Sequence, residues 1–183
     1  HWVRLVAKYG KSPHANMPVS GFPPIAAPHA RLLILGSLPG RMSLERGEYY
    51  AQPRNAFWTI MGALFGAGPE LPYATRTARL ADAGVALWDV CAAAQRAGSL
   101  DAAIDRASVV PNDFPAFFAA HPHIRLLAFN GGKAAELFRR CVTPMLADAS
   151  NPVRQVTLPS TSPAHAAMAP AEKMTRWAHV LQN

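Results

Sequence analysis

The stretch "RLLILGSLPGRMSLERGEYYAQPRNAFW", residues 31–58, decides how the chain is read. Its first part is an unbroken apolar run that stops in Gly-Ser-Leu-Pro-Gly. That is the form of a β-strand buried on both faces and ended by a tight turn. Beyond the turn come Tyr49, Tyr50, Arg54 and Asn55, and then an apolar helix. Stacking and hydrogen-bonding groups beside a glycine-lined strand end are the makings of a binding site, although the turn holds no Asp, His or Cys.

The same rhythm continues outward from this stretch. "VALWDV" (85–90), "IRLLAFN" (124–130) and "VRQVTLP" (153–159) read as further apolar strands. Helices are expected over 55–66, 72–84, 111–121, 131–142 and 169–182, with Gly66 and Gly84 at C-terminal ends and Pro170 in the first turn of the last. Residues 91–110 show no clear period and read as a looser connection. Apolar strands alternating with helices predict an α/β fold, a three-layer sandwich with a central four-stranded parallel sheet flanked by helices. Ligands of such sheets bind outside the carboxyl ends of the strands. The site is therefore expected at 36–40, 89–91, 130–132 and 159–165.

The 183 residues suit one α/β domain and are too few for two full ones. Residues 1–19 read as an N-terminal extension or a vector-derived remnant, and 20–183 as a single domain entered through a Pro-rich arm. The 18 Lys+Arg against 11 Asp+Glu leave a formal charge of +7. Such an excess points to a polyanionic partner, nucleic acid before anionic membrane. Only 4 of the basic residues are Lys, and an arginine majority favours forked contacts with phosphate. Cys91 and Cys141 lie far apart without metal-ligand spacing, so no zinc or iron–sulfur site is expected and a reducing cytoplasm is. No stretch has the length of a membrane span, and no signal peptide is visible.

Several residues at the strand ends can carry chemistry. The glycines of "GSLPG" let backbone N–H groups approach a ligand, without the spacing of a phosphate loop or a dinucleotide fingerprint. Tyr49 and Tyr50 either stack on a ligand or are half-buried structural aromatics. Asp89 ends an apolar strand, where a carboxylate is costly unless it pairs with an Arg, caps a turn or is functional. Asn55 is placed to cap the helix that follows. The run Asn130-Gly131-Gly132-Lys133 opens a helix and favours phosphate, and Arg41, Arg46 and Arg54 flank the first loop as phosphate contacts.

"LGSLPG", "SL" (43–44), "YYAQPRNAFW" (49–58), "LWDV" (87–90), "FNGGKA" (129–134) and "LPSTSPAHA" (158–166) follow one another in that order. Together, over residues 20–182, they resemble the uracil-DNA glycosylase superfamily, and within it the hypoxanthine-DNA (deoxyinosine) glycosylase branch. The resemblance implies a cofactor-free monomer that flips a deaminated base (hypoxanthine, uracil or xanthine) out of DNA and hydrolyses its N-glycosidic bond. It implies catalytic roles for Asn55 and Ser37, with Asn55 positioning water or contacting the base. Gly36, Leu38, Tyr49, Tyr50, Asp89 and Asn130 would surround the base, Tyr50 being the better match to the stacking aromatic. Arg41, Arg54, Lys133, Ser160, Thr161, Ser162 and His165 would grip DNA, His165 as the wedge into the stack; the residue also suits a general acid.

The pattern departs from most of the superfamily at Ser37 and Leu38, where those branches carry an acid or amide in the first turn. The deoxyinosine branch shares this departure. With only Lys133 among the lysines near a strand end, a covalent lyase mechanism is not expected. Two other readings stay open at this point: a non-catalytic damaged-DNA-binding module on the same scaffold, and a basic flavodoxin-like small-molecule binder.

Overall fold

The computed structural model describes residues 18–146 and 153–182. The strands in chain order are β1 (Val19–Ser20), β2 (Leu32–Gly36), β3 (Val85–Asp89), β4 (Cys91–Ala94), β5 (Val110–Pro111), β6 (Leu126–Asn130) and β7 (Arg154–Leu158). The α-helices are α1 (Arg41–Arg46), α2 (Phe57–Phe65), α3 (Tyr73–Asp82), α4 (Phe114–Ala120), α5 (Gly132–Leu137) and α6 (Pro170–Leu181).

The four-stranded sheet has the order β3-β2-β6-β7 and is parallel throughout. Alternation along each strand sends successive side chains to opposite faces. Leu33 and Leu35 thus join Ala86, Trp88, Leu127 and Phe129 in a core covered by Phe114 and Phe117 of α4 and Leu137 of α5. Ile34 joins Leu87 and Ala128 in a second core under Phe57 and Met61 of α2, Leu80 of α3 and Trp177 of α6. The chain is a three-layer α/β sandwich. Truncating a side chain as fully buried as Phe57 or Trp177 to Ala costs about 3–5 kcal/mol in such cores.

Two expectations about the strands need correction. β7 is not a buried apolar strand. It pairs only with β6, and of its residues only Leu158 is buried, so it is a half-exposed edge. The loose stretch 91–110 is not structureless either. It supplies β4 and β5, which with β1 make a small antiparallel sheet of order β1-β4-β5.

The Pro-rich arm packs as well as extends. Ile25 bridges Leu87, and the carbonyl of Phe22 accepts from the Trp88 indole at 3.1 Å. Pairing of Val19 with Ala94 reaches into the stretch read as an extension, of which residues 1–17 lie outside the described residues. The segment after "GSLPG", read as a loop, begins with the short helix α1. The helix expected over 131–142 narrows to α5 and widens into a π turn at Phe138–Val142. The helical ends near Gly66 and Gly84 are as expected, both glycines holding positive φ.

Candidate active site at the strand ends

Parallel strands of matched length bring their carboxyl ends into line. Gly36 of β2 is the register partner of Asp89 on β3, and Asn130 of β6 is that of Leu158 on β7. Outside these ends lies a cavity of about 700 Å³. Its lining takes in Gly36, Ser37, Leu38, Arg41, Tyr49, Tyr50, Asn55, Asp89, Asn130, Ser160, Thr161, Ser162 and His165. Arg54 and Lys133 do not line it; Lys133 lies 3.8 Å from Glu136 on its own helix, and Arg54 is exposed.

Gly36 is a glycine for a local reason. A Cβ there would stand 2.5 Å from Asp89 Oδ1 and 2.8 Å from Tyr50 Oη, so the carboxyl and the phenol close over bare backbone. Asp89 is 4% exposed, and its Oδ2 has no hydrogen-bond partner. It neither caps a turn with its side chain nor forms an ion pair among the described residues. Its backbone carbonyl accepts from Asn112 Nδ2 at 2.7 Å, which fixes the strand end. Burial and then the negative charge of Asp101 push the Asp89 carboxyl up to about 7, against the opposing pull of Arg96. Near neutral pH much of it is therefore a carboxylic acid, with one O–H to donate and one oxygen to accept.

Tyr50 takes φ of 53°, a left-handed conformation that a non-glycine residue rarely adopts. Its ring stacks on Phe57 with centroids 4.0 Å apart, so a base stacking on Tyr50 has one face of the ring available. Burial and the neighbouring Asp89 raise its phenol far above the usual range. Tyr49 reaches the cavity lining but is otherwise committed. Its hydroxyl donates to the Pro23 carbonyl at 2.8 Å, its ring meets Phe22 edge-on, and its carbonyl accepts from the Trp58 indole. These contacts fix its ring beside that of Tyr50, with centroids 6.4 Å apart.

Asn55, expected as the cap of α2, sits one residue before the observed cap position. Its Oδ1 accepts from the Phe57 N–H at 3.0 Å, while Ala56 is the cap residue of α2 and makes no side-chain cap bond. The Asn55 amide nitrogen makes no hydrogen bond among the described residues, so capping leaves a donor for the cavity. Ser37 Oγ donates to Asp101 Oδ1 at 2.7 Å.

The loop after β7 is held from behind. Asn130 Nδ2 donates to Thr161 Oγ1, and Thr161 N–H donates back to Asn130 Oδ1, both at 2.9 Å. This corrects one expectation: Thr161, 1% exposed, turns its hydroxyl to Asn130 rather than to a phosphate. The Asn130 amide keeps a second N–H and a second lone pair, and it lines the cavity. Lys173, buried on α6 with its pKa lowered by that burial, donates to the Ser162 carbonyl at 3.0 Å. The hydroxyls of Ser160 and Ser162 accept from backbone N–H groups two residues on, and His165 stands exposed at the rim.

Sequence reasoning missed the lid formed by residues 96–101. Arg96 donates to the Pro39 carbonyl at 2.7 Å and to the Gly98 carbonyl at 2.9 Å, and Ser99 Oγ accepts from the Arg41 N–H at 3.0 Å. These bonds fold Ser99, Leu100 and Asp101 over the first turn and into the cavity lining. An alanine-rich strand followed by a Gly-Ser turn carries no periodic signal that would have placed them there. Among the described residues no group of His, Cys, Asp and Glu could hold a metal ion, and no helix is long and apolar enough to cross a membrane.

Residues 23–182 match the model of the Uracil DNA glycosylase superfamily. A hypoxanthine DNA glycosylase of Methanosarcina barkeri (strain Fusaro / DSM 804) is 36% identical over 121 residues, 66% of this chain and 75% of that protein. One of Methanosarcina acetivorans is 37% identical over 117 residues, 63% of this chain and 73% of that protein. Among solved structures, the solution NMR structure of a Methanosarcina acetivorans protein provisionally described as a uracil DNA glycosylase aligns with a TM-score of 0.72 at 32% identity. That alignment covers 90% of this chain and 96% of the other.

Proposed function

The chain belongs to the uracil DNA glycosylase superfamily, and from that premise we propose that it removes hypoxanthine from DNA, with uracil and xanthine as further substrates. It is a DNA repair glycosylase acting on deaminated bases: it hydrolyses the N-glycosidic bond of a flipped-out nucleotide and leaves an abasic site. The single observation that carries the choice of base is Asp89, a buried carboxyl with an unpartnered oxygen at the wall of the cavity. Hypoxanthine and uracil both present an N–H beside a C=O. A protonated Asp89 answers both at once, accepting from the N–H and donating to the carbonyl. Adenine and cytosine present the reverse order of donor and acceptor, so the acid pairs with them only with its proton on the other oxygen.

The other residues divide the work. Tyr50 offers the flipped base a ring to stack on. Asn55 and Ser37 face the sugar and position the attacking water. Leu38 and the backbone around Gly36 complete the wall. Arg41, Ser160 and Ser162 take the phosphates beside the flipped nucleotide, with Arg54 and Lys133 contributing to the wider basic field. His165 at the rim fills the space in the stack that the base leaves. We place the enzyme as a monomer in the cytoplasm, a compartment that suits its two free cysteines.

The test is a panel of labelled duplexes, each carrying one hypoxanthine, uracil or xanthine, incubated with the protein and then cleaved with alkali. Strand scission is expected fastest at hypoxanthine and absent at adenine. Tight lesion binding without scission would support the non-catalytic reading instead.

A further inference from the structure

Hydrolysis needs a group that takes a proton from the attacking water, and the cavity offers few. Its titratable lining side chains are Arg41, Tyr49, Tyr50, Asp89, Asp101 and His165. Arg41 is a permanent cation, and both tyrosines are held protonated by burial. Asp89 keeps its proton to about neutral pH and faces the base edge. His165 is exposed at the mouth of the cavity, where its backbone N–H donates to the Ser162 carbonyl at 3.0 Å. That leaves Asp101.

The rest of the geometry agrees. Asp101 comes from the lid, 64 residues along the chain from Ser37, yet its Oδ1 accepts from Ser37 Oγ at 2.7 Å on the wall of the cavity. The lid is held in place by the Arg96 bonds to Pro39 and Gly98 and by the Arg41–Ser99 bond, so the placement is built rather than incidental. We infer that Asp101 supplies the carboxylate that the first turn lacks, taking the proton of the water that attacks the sugar, with Ser37 fixing its orientation. The inference rests on the glycosylase reading above.

In that step the water oxygen forms the new bond to C1′ of the deoxyribose. The C1′–N bond breaks, and its electron pair leaves on the base. The water proton passes to Asp101. A carboxylate at this point also stabilises the positive charge that develops on the sugar as the bond lengthens. The two aspartates then do opposite work, one holding a proton toward the base and the other accepting one from water. The charge of Asp101 is itself one reason that Asp89 stays protonated.

The experiment is single-turnover excision from a hypoxanthine duplex by the wild type, Asp101→Asn, Asp101→Ala and Ser37→Ala, with duplex affinity and thermal melting measured on each. Asp101→Asn keeps the shape of the lid and loses the base, so its rate should fall at least about 100-fold with affinity within a few-fold of wild type. Added formate should restore part of the Asp101→Ala rate in a saturable way. Ser37→Ala should lose less than either. Asp101→Asn at near wild-type rate would overturn the inference. So would a loss in both Asp101 variants that follows weakened binding or melting and ignores formate. A wild type that releases no base sinks the glycosylase reading itself, a result distinguishable from failure of the variants alone.

Discussion

Gly36 and Asp89 face each other across β2 and β3 so closely that a Cβ on the glycine would stand 2.5 Å from the carboxyl oxygen. The proposed base-reading group is therefore set by the backbone of the neighbouring strand rather than by a flexible loop. Gly36→Ala should displace Asp89 and Tyr50 together. A shift of about 1 Å at a reacting site costs about 100-fold in rate, and overpacking costs about 1–3 kcal/mol of stability. Excision kinetics and urea unfolding on the same sample check both.

Asp89 ties stability to pH. Its carboxyl titrates at the ordinary 3.8 when unfolded and at about 7 when folded, so between these values the folded state holds the extra proton. The contribution is fully present below the unfolded value and is lost as pH rises through the folded one, roughly 4 kcal/mol at about 1.4 kcal/mol per pH unit as an upper bound. Asp89→Asn removes the titration while keeping a donor and an acceptor. Its melting temperature should decline less than that of the wild type as pH rises from about 5 to about 8, across this titration. Parallel declines would mean that Asp89 is not the titrating group.

Thr161→Val should leave Asn130 Nδ2 buried without an acceptor. The expected loss is about 1–3 kcal/mol in urea unfolding, with weaker duplex binding as the loop loosens. Thr161→Ser, which keeps the hydroxyl, should recover most of it.

Arg41 lines the cavity and Lys133 does not. Arg41→Ala should weaken duplex binding and reduce the slope of log affinity against log salt by about 1. Lys133→Ala, made next to Glu136, should change that slope little.

Much of this arrangement was legible in the residues. The mainly apolar runs at 31–37, 85–90 and 124–130 are what a sheet covered on both faces requires, and strand polarity then dictates where Gly36, Asp89 and Asn130 meet. Local signals around Tyr50 and Asn55 also pointed to the carboxyl ends of the strands, where both residues line the cavity. What was not legible depends on contacts between distant residues. Asn130 and Thr161 are 31 positions apart, and nothing local tells that each satisfies the other. Asp101 lies in a stretch without periodicity, and its place beside Ser37 follows from the Arg96 bonds that fold the lid. The exposure of β7 follows from its having a neighbour on one side only, which an apolar run cannot reveal.

Hydrolysis at this cavity is the central claim, and its most direct measurement is the product of a single-turnover reaction in heavy-oxygen water. A hypoxanthine duplex incubated with the wild type should yield free hypoxanthine and an equal amount of abasic strand, with the heavy oxygen on C1′ of the sugar. A duplex that stays bound with its base still attached, under the same conditions, would contradict it.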